Sequence, residues 1–156
     1  MTITKDTIGT SYEEIKKFND ISSNLEGNLV EKVDNQLGFI FEELSETIEA
    51  FENKDAVGLL DGAVDAWVTV GGLLQKLEAA GFDVASAIRR VDENNLSKFV
   101  PTENFKALVI PKEYKATLNE RHNVLVLKDQ NGKIRKPHNF VPVSLGDLVP
   151  DNFFGE

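Results

Sequence analysis

Cysteine is absent from this chain of 156 residues, and histidine occurs only twice, as His122 and His138. Without cysteine the chain has no disulfide framework, no thiolate nucleophile and no cysteine-ligated zinc site. The two histidines follow the helical part of the sequence, so the Glu-x-x-His pairs of a carboxylate-bridged di-iron bundle are missing too. The reducing cytosol is the natural setting for such a composition.

Neither a secretory signal nor a membrane span is expected. The first ten residues, MTITKDTIGT, lack the basic start and the apolar run of about 7–15 residues that a signal peptide needs. Residues 56–75 are apolar and long enough to cross a bilayer. Asp61 and Asp65 near their middle would each cost about 2.5–3.5 kcal/mol on insertion, however. We therefore expect a cytoplasmic protein without a membrane partner.

Positive charge is scarce in the first two thirds of the chain. The net charge is −9 overall; residues 1–100 contain 9 Lys+Arg against 19 Asp+Glu, whereas residues 101–156 contain 8 against 7. An acidic surface repels nucleic-acid backbones, and the basic cluster at residues 128–136 is small. No nucleic acid polymer is expected as a partner.

Helical periodicity dominates residues 1–100. Ser11 and Glu14 match a capping box that would open a first helix extending to Leu25. Apolar stripes predict further helices over residues 31–52 and 56–80, and Asp83 is placed to cap a fourth helix that reaches Asn94. The link at residues 53–55 is so short that the second and third helices should pack as an antiparallel hairpin.

The predicted fold is therefore all-α: an antiparallel four-helix core in residues 1–100. An irregular C-terminal extension, residues 101–156, should pack on the core or on a neighbouring subunit. Asn131 and Gly132 indicate a small hairpin in the extension, and three prolines within residues 137–150 disfavour long regular elements there. Apolar residues lie on both sides of the third helix, which predicts a homodimer or homotetramer.

Carboxylates gather on one face of each helix of the hairpin. Glu42, Glu43 and Glu46 project from the second helix at i, i+3 and i, i+4 spacing, and Asp61 and Asp65 repeat this spacing on the third. No Lys or Arg occurs in residues 56–75. Clustered carboxylates without a cationic partner favour a bound hard cation, and oxygen ligands suit Mg²⁺ or Mn²⁺.

Simpler explanations remain open for each group of acids. A row of glutamates opposite an apolar stripe is most often the solvated face of an amphipathic helix, and Asp61 alone would serve as a helix cap. Asp65 lies too far from the predicted start of the helix at residue 56 to be its cap. In a non-enzymatic alternative, the acids and glycines serve close helix packing in a dimerisation or regulatory module.

Four segments together resemble the all-α nucleoside triphosphate pyrophosphohydrolases, a superfamily that includes MazG-like proteins, dimeric dUTPases and phosphoribosyl-ATP pyrophosphohydrolases. EELSE at residues 42–46 matches the family's EExxE motif, and DGAVD at 61–65 lies where the second motif is expected. VDENNLSK at 91–98 is similar to V-x-x-S-N-M-S-K of phage and bacterial MazG-like members. NGKIRKP at 131–137 is similar to the D-G-K-V-x-K-P sequence that follows their helical core.

The resemblance departs from the family pattern at one position. The common second motif is ExxD, but Gly62 stands three residues before Asp65, and the preceding acid is Asp61 at i−4. One metal ligand is therefore expected to be shorter or to act indirectly.

The resemblance implies Mg²⁺-dependent hydrolysis between the α and β phosphates of a nucleoside triphosphate, which yields monophosphate and pyrophosphate. Water is the expected nucleophile, oriented and deprotonated by Glu43 or Glu42. The expected metal ligands are Glu42, Glu43, Glu46 and Asp65, with Asp61 in support. Asn95, Lys98 and Lys133 are the expected substrate-binding residues, although Asn95 and Lys98 would serve equally well as a helix C-terminal cap.

Overall fold

The computed structural model describes residues 2–155 of the chain, and their fold is mostly helical. The four α-helices in this part are α1 (Lys5–Ile21), α2 (Leu29–Glu52), α3 (Ala56–Ala79) and α4 (Val84–Leu96). The link between α2 and α3 is Asn53–Asp55, so the predicted hairpin is confirmed. The bounds of α2, α3 and α4 agree closely with those predicted from the apolar periodicity of the sequence.

The start of α1 differs from the prediction. Thr4 and Thr7 form the capping box, with the Thr7 N–H donating to Thr4 Oγ1 at 3.2 Å, so the helix begins at Lys5. Ser11 lies inside α1, where its Oγ accepts a hydrogen bond of 2.9 Å from the Trp67 indole Nε1. The residue that looked like a cap therefore joins α1 to α3.

Glycines on α3 let it approach α2 closely. A Cβ atom added at Gly62 would lie 2.5 Å from Thr47 Oγ1 and 3.2 Å from Thr47 Cα, and one at Gly58 would lie 3.2 Å from Ala50 Cβ. Further along, Gln36 Nε2 donates to the Thr69 carbonyl at 2.9 Å. These pairs give an antiparallel register along the hairpin.

A buried polar network joins α1 to the hairpin beside the buried side chain of Ile15. Lys76 is 3% exposed, and its ammonium donates to Asn19 Oδ1 at 3.2 Å and Gln36 Oε1 at 2.8 Å. Asn19 Nδ2 in turn donates to Gln75 Oε1 at 3.0 Å. Burial, and then the charge of Lys32, holds the pKa of Lys76 below its ordinary value. Each amide partner therefore stabilises a cation that burial disfavours.

The C-terminal extension contains regular strands that the all-α prediction left out. A three-stranded antiparallel sheet has the order β1-β3-β2, with β1 at Val100–Pro101, β2 at Lys115–Asn119 and β3 at Val124–Lys128. Short 3₁₀ helices occupy Thr102–Ala107 and Gly146–Leu148. The hairpin joins β2 to β3, whereas the turn at Gly132 leads only to an isolated bridge between Lys128 and Ile134. The small hairpin expected at Asn131 and Gly132 is therefore confirmed as a turn with one antiparallel bridge, and the β2–β3 hairpin was not predicted.

Two compact units divide the chain. The first contains the residues up to Val84 and those from Leu148 on; the second extends from Ala85 to Asp147. In the first unit, the Asp83 N–H donates to the Leu148 carbonyl at 2.9 Å, and the Phe82 and Phe153 rings stack edge to face at 5.0 Å. The second contains the sheet and most of α4.

Within the second unit, the loop that follows the sheet is bound to α4. Arg90 forms an ion pair of 2.6 Å with Asp147, and Asn94 Nδ2 donates to the Val141 carbonyl at 2.7 Å. These contacts connect α4 with the segment that leads to Asp147. The boundary expected at residue 100 remains a prediction.

The α2–α3 hairpin leaves its large apolar side chains uncovered. On α2, one stripe contains Leu37, Phe41, Leu44, Ile48 and Phe51, all about half exposed or more. The fully buried positions of the two helices are glycine, glutamine and lysine. By length and composition, α3 alone could also cross a membrane, a test that helices of soluble proteins pass as well. An apolar stripe of this size indicates an interaction surface.

Replacing Gly62 with Ala should destabilise the fold by about 1–3 kcal/mol, because the added methyl group would overlap Thr47 at the helix contact. Gly38→Ala is the matched control, since no atom lies within 4 Å of a Cβ there. This change should stabilise the protein by about 0.5–1 kcal/mol through helix propensity. Urea unfolding of the two variants measures both effects. A Gly62→Ala protein as stable as Gly38→Ala would contradict the close contact.

Candidate functional site

A groove of about 380 Å³ runs between α2 and α3. Its lining includes the acidic side chains of Glu46 and Glu49 from α2 and of Asp61 and Asp65 from α3. Gly58 and Gly62 line it between the acids, so small residues leave space beside the carboxylates. Both helices of the hairpin thus contribute acids to one concave surface, as the sequence predicted.

The cap of α3 is Asp55, not Asp61. Asp55 Oδ1 accepts hydrogen bonds from the N–H groups of Val57 at 3.0 Å and Gly58 at 3.1 Å, and the helix begins at Ala56. Asp61 and Asp65 therefore lie within the helix. The explanation of Asp61 as a cap is excluded, and both aspartates need another reason to occupy a helix that otherwise contains few charges.

Electrostatic repulsion across the groove acts on Glu43. Partial burial raises the pKa of this carboxyl, and the charges of Asp65, Glu46, Glu42 and Asp61 raise it further. Asp65 lies on the opposite helix, and its charge raises the pKa of Glu43 more than the charge of Glu42 or Glu46 does. Glu42 and Glu43 do not line the groove, but the charges of the other four predicted acids all act on Glu43.

The groove lacks compensating positive charge. Within residues 33–75, Lys54 is the one basic residue in the sequence. In the described part of the chain, the ion pairs involve other carboxylates than those of the groove. A negative potential of this kind attracts a cation.

Carboxylate chemistry fits Mg²⁺ or Mn²⁺, although the side chains are not drawn together. Among residues 2–155, no group of three or more His, Asp or Glu side chains is arranged to hold a metal ion. Repulsion between unneutralised carboxylates favours rotamers that point apart. The donors are all oxygen atoms from adjacent turns of two helices, which is the ligand type that these hard cations prefer. Metal binding would require rotamer changes in this set.

The contact at Gly62 explains the departure from the ExxD pattern. A side chain at position 62 would meet Thr47, so glutamate has no room there. Thr47 is fixed in turn, since its Oγ1 donates to the Glu43 carbonyl at 2.7 Å. Asp61, one residue earlier, places its carboxylate in the groove instead.

The predicted substrate-binding residues lie in the second unit. Asn95 is near the end of α4, and its Oδ1 accepts a hydrogen bond of 2.7 Å from Lys98 Nζ. This contact favours the interpretation of the pair as a local helix-end interaction. Lys133 is exposed and follows the turn in which Asp129 accepts its N–H at 3.0 Å. A role in substrate binding stays a prediction for all three residues.

Glu49 is a groove residue that the sequence reasoning missed. It follows Glu46 by three residues, so the spacing that identified the other glutamates applied to it as well. Its position opposite Gly58 near the hairpin turn follows from the register of the helices. Glu49 extends the acidic lining by one turn toward Asn53.

Comparisons with known proteins do not identify a relative. No protein family, curated protein or solved structure matches this chain. The resemblance to the pyrophosphohydrolases therefore consists of the short motifs in the sequence and their spacing.

Neutralising one acid in the groove or beside it, as in the two groove variants that follow, should not lower the stability of the metal-free protein. In chelator, Glu43→Gln and Asp65→Asn should melt at or above the temperature of the wild type, because each removes repulsion from the cluster. Glu52→Gln, outside the groove lining, is the matched control and should leave the melting temperature unchanged. Millimolar Mg²⁺ should then raise the melting temperature of the wild type more than that of either groove variant.

Thermal melts with and without Mg²⁺ decide between a cation site and a structural role. If both groove variants melt well below the wild type in chelator, the acids stabilise the fold through partners of their own. In that case the cluster does not serve to bind a cation.

Proposed function

We propose that this chain is a Mg²⁺- or Mn²⁺-dependent nucleoside triphosphate pyrophosphohydrolase. The reaction would release a nucleoside monophosphate and pyrophosphate. The observation that carries the proposal is the groove between α2 and α3, to which Glu46 of α2 and Asp61 and Asp65 of α3 contribute carboxylates without a basic partner. It supports an acidic cluster formed by the two family-like motifs jointly, as a metal-dependent phosphate site requires.

Roles for the acids follow from the reaction. Water would attack the α phosphorus, the bond from that phosphorus to the bridging oxygen would break, and pyrophosphate would leave. Glu43, or Glu42 beside it, would orient the water and accept its proton. Glu42, Glu46 and Asp65, supported by Asp61, would hold the cation, which neutralises charge on the phosphate chain.

Turnover should depend on these acids and should release one particular product. With Mg²⁺ and a panel of ribo- and deoxyribonucleoside triphosphates, the first product should be pyrophosphate. Glu43→Gln and Asp65→Asn should each lower turnover by at least about 10²-fold, whereas Glu52→Gln should retain it. Coupled assays specific for pyrophosphate and for orthophosphate distinguish the products. Orthophosphate as first product, or near wild-type turnover by both groove variants, would contradict the proposal.

A second copy of the chain would cover the apolar stripe of α2. The stripe is continuous along more than three turns, and Ile48 within it is 59% exposed. Burying apolar area of this kind is favourable by about 25 cal/mol per Å² removed from water. Isologous pairing of the hairpins would bury the stripe of each copy against the other, which supports the expected homodimer or homotetramer.

Sedimentation velocity at micromolar concentration tests the assembly. The wild type should be at least a dimer, and Ile48→Glu should shift it toward monomer because a buried carboxylate disfavours the interface. Asn35→Glu introduces the same charge at an exposed position on the carboxylate side of α2, away from the stripe, and should retain the wild-type state. A monomeric wild-type protein would contradict the assembly, even if Ile48→Glu failed to fold.

The exposed apolar stripe also favours a second candidate function, a non-catalytic helical dimerisation module. In such a module the acids would remain on the solvated face and would not bind a cation specifically. A Mg²⁺ titration distinguishes the candidates, since a loaded site raises the melting temperature by linkage and a packing surface does not respond.

A further inference from the structure

One aromatic side chain of α2 stands apart from the apolar stripe. Phe39 precedes Glu42 by three residues and Glu43 by four, so it lies on the face of the helix that bears the carboxylates. Its side chain is 54% exposed. The other phenylalanines of α2, Phe41 and Phe51, belong to the apolar stripe. Pairing of the apolar stripe with a second copy of the chain therefore does not explain why Phe39 is exposed.

Val68 of α3 lies about level with Phe39 across the hairpin. Gln36 contacts Thr69 and Thr47 contacts Gly62, and the antiparallel register between these pairs brings residues 39 and 68 to the same height. Val68 follows Asp65 by three residues, which places it one turn beyond that acid on the same face. Its side chain is 38% exposed. Phe39 and Val68 together make one end of the acidic surface apolar.

Phe39 and Val68 lie outside the groove lining, beyond Asp65, and the groove itself is polar. Toward the hairpin turn, the lining consists of Glu49, Asn53 and Asp55 with Gly58. Along the hairpin, the surface thus begins with the exposed Phe39 ring, continues with the five predicted carboxylates and ends at the polar α2–α3 turn. A nucleoside triphosphate has a matching order, with a flat apolar base at one end and an anionic chain at the other.

A second copy of the chain is a poor occupant for Phe39. Any surface that covered this ring would also cover Glu42 and Glu43 one turn away. Burial of these carboxylates without a cation carries a large desolvation penalty. A planar base on the ring, with its phosphates directed along the groove, leaves the acids accessible to water and cations.

We propose that Phe39 is the base-stacking residue of this site and that Val68 contacts the same base from α3. The nucleotide then lies along the hairpin, with its base toward the N-terminal half of α2 and its phosphates toward the α2–α3 turn. This inference rests on the proposed nucleotide hydrolysis. Every base has a flat face that can stack on an aromatic ring. Phe39 therefore favours binding of nucleotides over polyphosphates without a base, but it discriminates little between different bases.

Steady-state kinetics of the full-length protein with Mg²⁺ and its best nucleoside triphosphate test the inference. Phe39→Ala should raise KM by about tenfold, the order expected for loss of one base–aromatic stack, with kcat changed by less than about threefold. Phe39→Tyr keeps an aromatic face and should restore the wild-type KM. Phe18→Ala removes an aromatic side chain from α1, 65% exposed, and should have no effect.

Inorganic triphosphate with Mg²⁺ provides the second readout, because it has the phosphate chain without a base. It should raise the melting temperatures of wild type and Phe39→Ala equally, whereas the nucleoside triphosphate should raise that of the wild type more. An unchanged KM in Phe39→Ala overturns the inference and leaves the proposed hydrolysis standing. Dissociation of the Phe39→Ala assembly in sedimentation would make Phe39 an interface residue and also overturn it. If no nucleoside triphosphate is hydrolysed or stabilises the wild type, both proposals fail.

Discussion

The close approach of α2 and α3 is the constraint on which the rest of the structure depends. Gly58 and Gly62 have no side chain to hold the helices apart, and Thr47 fills the space at Gly62. At this separation, acids on adjacent turns of the two helices act on each other, and Glu43 is affected by Asp65 across the groove. The same contact that forms the hairpin therefore creates the negative potential of the candidate site. It also leaves no room at position 62 for a longer acid.

Packing inside the first unit includes buried polar side chains at positions that are apolar in most helical proteins, alongside buried Ile15 and Leu148. Lys76, Gln36, Asn19 and Gln75 are buried and bonded to one another, whereas the leucines and phenylalanines of α2 remain exposed. Satisfied hydrogen bonds compensate the burial of amides but contribute little net stability, since water offers equal partners in the unfolded chain. The hairpin leaves its apolar stripe uncovered within one chain, and the proposed second copy would bury it. The carboxylate face, by contrast, has to remain accessible to water and cations in the proposed reaction.

Local sequence signals predicted the helices well and the smaller elements poorly. The hairpin was predictable because apolar residues recur at helical spacing over two full helices with a three-residue link. The start of α1 was not predictable, because Thr4 with Thr7 and Ser11 with Glu14 both match a capping box. Ser11 instead accepts a hydrogen bond from Trp67, a tertiary contact that the local sequence does not reveal. β2 escaped prediction because its five residues are mostly exposed and lack clear alternation.

Within the candidate site, spacing predicted which acids share a face, but not which cross-helix pairs interact. The dominance of Asp65 over the neighbouring glutamates in raising the pKa of Glu43 depends on the packing distance set by glycine. Spacing within one helix carries no information on that distance. Asn95 and Lys98 illustrate the opposite case, since their motif is specific in sequence while their contact in the structure is local.

Hydrolysis in ¹⁸O-labelled water tests the central claim, that the groove directs water to the α phosphorus of a nucleotide. The account predicts that one ¹⁸O atom enters the nucleoside monophosphate and that the released pyrophosphate contains none, as read by mass spectrometry of both products. Label in the pyrophosphate would place the attack on the β phosphorus. That result, or the absence of any Mg²⁺-dependent product, would contradict the account.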